Sequence, residues 1–315
     1  MSSALGIGAA LGAAFVWALT SPMLAEPVRR YGATAVNLYK STVSAALFIA
    51  AACALLGPGA FARAADAAPW FALSGAVGLA VGDTAYFVSL ARLGPTVSLI
   101  LYQSSTVFGV ALGMLFRGER PGAAQLAGTV AIVAGVLVAT LERRGADRAG
   151  LDADARARRR ERAIGVLGGL TSALCQAVGL LVNSRAFDVA KEAGFERAAI
   201  STAPVAGALR MTAAAVGLVL VAALAGRGAD AVRPLRERAG WRMTFVPTVL
   251  SAFLGIFSMQ VAVANLEVGL VSTLLATSPI FAIPAEWALS GVRPTLRKTA
   301  GAVLGAAGVA LVSLA

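Results

Sequence analysis

Histidine is absent from this chain, and charged side chains make up only 14% of its 315 residues. Without histidine there is no zincin motif, no imidazole proton relay and no Ser-His-Asp triad. A soluble domain of this length carries about 25% charged residues, so these few cannot cover a water-facing surface. With mean hydropathy at +0.78, much of the exterior must face lipid. Cysteine is nearly absent too. Cys53 and Cys175 both lie in apolar runs, where they read as small packing residues and not as a disulfide framework. Neither Lys40-Ser41 nor Lys298-Thr299 follows a Gly-x-x-x-x-Gly, so the chain offers no phosphate-cradling loop and no ATP-driven pump within itself. No cofactor or metal is expected. Acids are outnumbered, 16 against 27 bases, for a net charge of +11. The bases sit in short segments between long apolar runs, as in membrane proteins, which argues against a nucleic-acid partner.

What is present is a series of ten long apolar windows, at 4–24, 34–56, 69–90, 96–116, 122–141, 163–183, 199–225, 244–265, 270–290 and 298–314. About 20 residues of helix cross the hydrocarbon, and none of the windows alternates with the period of two that barrel strands need. The run 4–24 lacks a basic leader and a small-residue cleavage site, so it is expected to be the first membrane helix and not a signal peptide. One long hydrophilic segment, 142–162, carries Arg158-Arg159-Arg160-Glu161-Arg162 and reads as a solvated linker.

The halves on either side of it are alike. Asn37-Leu38-Tyr39-Lys40-Ser41-Thr42 stands against Gly207-Ala208-Leu209-Arg210-Met211-Thr212, with a cation and then a threonine at matching places. Ala13 through Trp17 to Ala18 likewise stands against Ser172 through Gln176 to Ala177, and Arg117-Gly118-Glu119-Arg120-Pro121 against Ser290-Gly291-Val292-Arg293-Pro294. Five spans is an odd number, so the second copy enters the membrane from the opposite side. The expected fold is therefore an all-α integral membrane protein of ten transmembrane helices in two inverted five-helix repeats. The modules are 1–141 and 163–315, joined by 142–162, and a solute site lies between them.

Gly82-Asp83-Thr84-Ala85-Tyr86 through Leu93-Gly94-Pro95, then Phe116-Arg117-Gly118-Glu119-Arg120 and Gly128 to Gly135, resemble the EamA module of the drug/metabolite transporter superfamily. The second copy has Gly301 and Gly308, but Val292 where the family has glutamate. The resemblance covers nearly the whole chain. It implies a multi-pass protein of a bacterial inner (plasma) membrane, with amino acids and related metabolites as cargo and efflux as the expected direction. Its partners would be the small-molecule substrate, the lipid bilayer, and protons or a second solute as the coupled species. Monomer and homodimer stay open.

Four charges fall well inside the spans: Lys40, Asp83, Arg210 and Glu286. Each costs about 2.5–3.5 kcal/mol at the bilayer centre on insertion scales, so each needs a partner, a wet cavity or an interfacial position. Lys40 or Arg210 is expected to engage an anionic substrate group, and Asp83 or Glu286 a proton or a substrate amine. The structural alternative is snorkelling cations and a carboxylate–cation pair. Trp17, Tyr86, Gln103 and Gln176 complete the expected substrate-binding set; polar groups in membrane helices also hydrogen-bond for packing alone. Pro279 and Pro284 should break the ninth span. Two other classes compete. Val81-Gly82-Asp83 lacks the first glycine of the intramembrane aspartyl proteases, having Ala80 there, and a lipid-intermediate flippase would differ from a solute carrier only in cargo. Lys and Arg number 19 in the loops of one side and 6 in those of the other. By the positive-inside rule this puts both termini outside, whereas the resemblance puts them in the cytoplasm, so orientation is open.

Overall fold

A computed structural model of the protein describes residues 2–117, 122–140, 153–193, 202–266, 268–275 and 277–314, and no strand occurs among them. The Gly118-Glu119-Arg120 motif and the start of the 142–162 segment lie outside the described residues. Ten membrane helices follow in order. They are α1 Ser2–Tyr31, α2 Ala33–Leu56, α3 Ala68–Leu93, α4 (Pro95–Tyr102 and Ser104–Arg117), α5 Ala123–Thr140, α6 Ala153–Glu192, α7 Thr202–Leu224, α8 Arg238–Asn265, α9 (Val268–Leu275 and Ser278–Ser290) and α10 Leu296–Leu314. Seven of them are individually long and apolar enough to cross a membrane, and Ala123–Ala139 is a shorter apolar helix.

The boundaries differ instructively from the apolar windows. α1 runs on past Pro22 and Pro27 to Tyr31, because the run ends in hydropathy before it ends in helix. α6 begins at Ala153, so the described part of the hydrophilic segment is helical and continues into the sixth span. Its exposed arginines project from helix that needs no lipid. The α3–α4 corner turns on Gly94, whose φ of +82° side chains rarely adopt, and Pro95 then opens α4 at the position where its missing N–H is harmless.

The packing repeats itself. α1 lies against α8 and α9, and its counterpart α6 against α3 and α4; α2 lies against α7, and α5 against α10. Advancing every helix by five converts each pairing into another, as a twofold relation between inverted repeats requires. Lipid supplies no hydrophobic drive between helices, so close backbone contact must hold them. At the α5–α10 crossing, a Cβ added to Gly308 would sit 2.6 Å from the Gly128 carbonyl oxygen. The glycines let the helices close there, and Ile132 and Val312 pack beside them.

Both third helices depart from α geometry at the same place. Residues Gly75–Gly82 of α3 and Val249–Gly255 of α8 are wound as π-helix. Such winding shifts carbonyls out of register, and neighbouring helices use them. Asn37 Nδ2 donates to the Leu79 and Ala80 carbonyls at 2.8 and 3.2 Å, and Trp17 Nε1 to the Ser251 carbonyl at 3.0 Å. π segments recur at functional sites, and here they flank one.

Candidate functional site

A central cavity with a water-accessible volume of about 90 Å³ lies where the two π segments approach α1, α2, α6 and α7. That is room for more than a single water and suits a small solute. Its wall is apolar, with Leu24, Leu79, Leu99 and Met259, and is interrupted by a small set of polar and charged groups.

Three charges face it. Lys40 on α2 is buried, 4% exposed, and its ammonium is ion-paired with Asp83, the first residue of α3 after the π segment. The same ammonium lies 5.3 Å from the centre of the Phe87 ring, a cation–π contact. Arg210 on α7 is 1% exposed, and no carboxylate among the described residues approaches it within ion-pair distance. It is held by Gln260, whose Oε1 accepts from Arg210 Nη1 at 3.2 Å and from Asn183 Nδ2 at 3.1 Å. Arg210 Nε is buried with no acceptor among the described residues. With one acid against two bases, the cavity carries a net positive charge of one.

The two cations are held in related ways. Phe87 lies four residues beyond Asp83 on α3, and Gln260 four beyond Ile256 on α8, Asp83 and Ile256 each being the first residue past a π segment. The same helical step thus brings Phe87 to Lys40 and Gln260 to Arg210. Only the first repeat supplies an acid at the shared place; the second has Ile256.

Aromatic and hydroxyl groups complete the wall. The Tyr86 hydroxyl shares a hydrogen bond of 2.6 Å with Ser21 Oγ, joining α3 to α1, and its ring meets Tyr102 edge-on at 6.0 Å. Trp17 packs on Gly255, where an added Cβ would lie 2.5 Å from the indole nitrogen. Gln176, matched to Trp17 in the other repeat, lines the cavity with no hydrogen bond to any described residue.

Of the eight residues expected from sequence, the cavity brings together Trp17, Lys40, Asp83, Tyr86, Gln176 and Arg210. Gln103 and Glu286 lie elsewhere. Gln103 sits at the break in α4, with its amide oxygen 2.0 Å from where a Cβ on Gly305 would stand, so it serves the α4–α10 contact. Glu286 is buried near the end of α9, accepting from the Thr96 hydroxyl and from Lys298 Nζ at 3.3 and 3.4 Å. That carboxylate ties α9 to α4 and α10. The wall residues Thr20, Ser21 and Ser251 had no sequence signal, since single hydroxyls in apolar helices look like packing groups.

The EamA-like transporter family matches residues 4–141 and 163–314. No curated protein matches the chain. One solved structure, described only as "Crystal structure of protein", is similar over 99% of this chain and 96% of its own, at 18% identity and a TM-score of 0.61, a likeness of fold. Two family matches, one on each inverted half, cover all ten spans, and this multi-pass membrane protein belongs to the EamA-like transporter family of small-molecule carriers.

Proposed function

We propose that the protein is a secondary transporter of small amino-acid-like metabolites, working by alternating access between modules 1–141 and 163–315 across a bacterial inner membrane. Export is the direction in this reading, driven by protons or by an exchanged solute. One observation carries it: a cavity of about 90 Å³ at the junction of the repeats, into which Lys40, Asp83 and Arg210 project. Charges this costly persist in membrane proteins where they serve a solute pathway. Both signs are present, as a zwitterion needs, and a volume near 90 Å³ favours a small solute over a lipid intermediate.

Solute counterflow tests the proposal. Purified protein in liposomes preloaded with single amino acids should accumulate the labelled form of at least one of them above empty liposomes. Accumulation of none, or flipping of labelled lipid in its place, contradicts it.

A further inference from the structure

The cavity holds two buried cations and one acid, and the acid is already committed. Asp83 pairs with Lys40, which is also covered by the Phe87 ring. Among the described residues Arg210 has only the neutral amide oxygen of Gln260 as acceptor, and its buried Nε has none. A buried guanidinium without an anion is costly, and the missing partner is defined by what remains: one negative charge with planar oxygens able to take the fork of Arg210. The apolar wall suits a ligand whose remainder is small and largely apolar. Gln260, itself held by Asn183, accepts from one guanidinium nitrogen, so the group's position is set before any ligand arrives.

We propose that Arg210 is the anchor for a substrate carboxylate, and that the Lys40–Asp83 pair holds the symmetry-related cation in reserve. The inference rests on the transport reading and names its substrate class: small monocarboxylates, α-amino acids among them. Lys40 and Arg210 occupy matching places on helices that lie against one another, and each is met by the residue one helical turn past the Asp83 or Ile256 position. Asp83 is close enough to act electrostatically on Arg210 as well. When the repeats rock, Asp83 exchanges Lys40 for Arg210. The carboxylate is then displaced from one cation as the other becomes free.

Binding to the detergent-purified full chain tests this without any transport step. The probes are acetate, L-alanine and L-serine, each against its own amide, titrated while the unfolding midpoint is followed. The wild type should bind at least one carboxylate about tenfold more tightly than its amide. In Arg210→Gln the two should fall within about twofold, and Arg210→Lys, which keeps the charge, should retain part of the preference. In Asp83→Asn/Arg210→Gln, where Lys40 is released, the preference should return. Amides binding as well as acids in the wild type, or an undiminished preference in Arg210→Gln, overturns the anchor. A double variant that stays indifferent overturns the reserve role of Lys40. Carboxylate binding without counterflow would leave this site standing and remove the transport reading alone.

Discussion

Gly75→Ala places a single methyl group where α3 crosses α7, directly behind the Arg210 backbone. The new Cβ would stand 2.1 Å from the Arg210 carbonyl oxygen, 2.7 Å from its Cα and 2.8 Å from its carbonyl carbon. All three are backbone atoms, so no side chain can rotate aside. Real Cβ contacts essentially never fall below 3.0 Å, so the helices must part by roughly an ångström, and overpacking of this kind costs about 1–3 kcal/mol. Alanine regains about 0.5–1 kcal/mol of helix preference over glycine, which is too little to offset it. A displacement of that size also stretches the 3.2 Å Arg210–Gln260 hydrogen bond beyond its useful range. The expected result is a lower unfolding midpoint and a weakened preference for acetate over acetamide in the same titration. The control lies on the same pair of helices: a Cβ at Gly217 would meet the Ala80 Cβ at an ordinary 3.8 Å. Gly217→Ala should raise the midpoint slightly, by its helix preference alone, and leave the carboxylate preference unchanged. A Gly75→Ala protein as stable as Gly217→Ala, with its carboxylate preference intact, refutes the claim that this crossing positions the guanidinium.

Three further outcomes follow from the same geometry. Asp83→Asn should abolish counterflow while the protein still accumulates; breaking a buried pair costs about 3–5 kcal/mol, less here because the Asp83 side chain is 20% exposed to the cavity. Adding Lys40→Met should restore part of the lost midpoint. Trp17→Phe removes the indole N–H bond to the Ser251 carbonyl of the second π segment, a loss of about 0.5–1.5 kcal/mol, read as a lower midpoint. Outside the membrane-spanning segments, the Glu237 carboxyl is held below the usual carboxylate range first by the hydrogen bond from Arg233 and then by that from Tyr31. A depressed acid stabilises the fold above the ordinary value and ceases to do so as pH falls through the depressed one. The midpoint difference between wild type and Glu237→Gln should therefore be full at neutral pH and close below about pH 4, shrinking in high salt as exposed pairs do.

The ten spans and their inverted duplication were legible because lipid imposes length and apolarity on each run separately. The paired positions Lys40/Arg210 and Trp17/Gln176 could be aligned for the same reason, and all four residues line one cavity. The partners of the charges could not be read. Asp83 reaches Lys40 only because α3 and α2 meet in space, and nothing local distinguishes it from Glu286, which finds Thr96 and Lys298 instead. The π segments left no usable signal either. Their glycines resemble every other close-packing glycine in the chain, and the donors that use the freed carbonyls, Asn37 and Trp17, come from other helices. Gln103 was grouped with the site by residue type, whereas the break in α4 turns it toward Gly305.

Cysteine accessibility at Thr20 tests the central claim most directly, since that residue lines the cavity and is buried from the outside. In a protein with Cys53 and Cys175 replaced by serine, Thr20→Cys in oriented proteoliposomes should react with a membrane-impermeant thiol reagent from either face. A bound small carboxylate should protect it on both. Reaction from one face only, however long the exposure, contradicts a cavity that opens alternately between two inverted repeats.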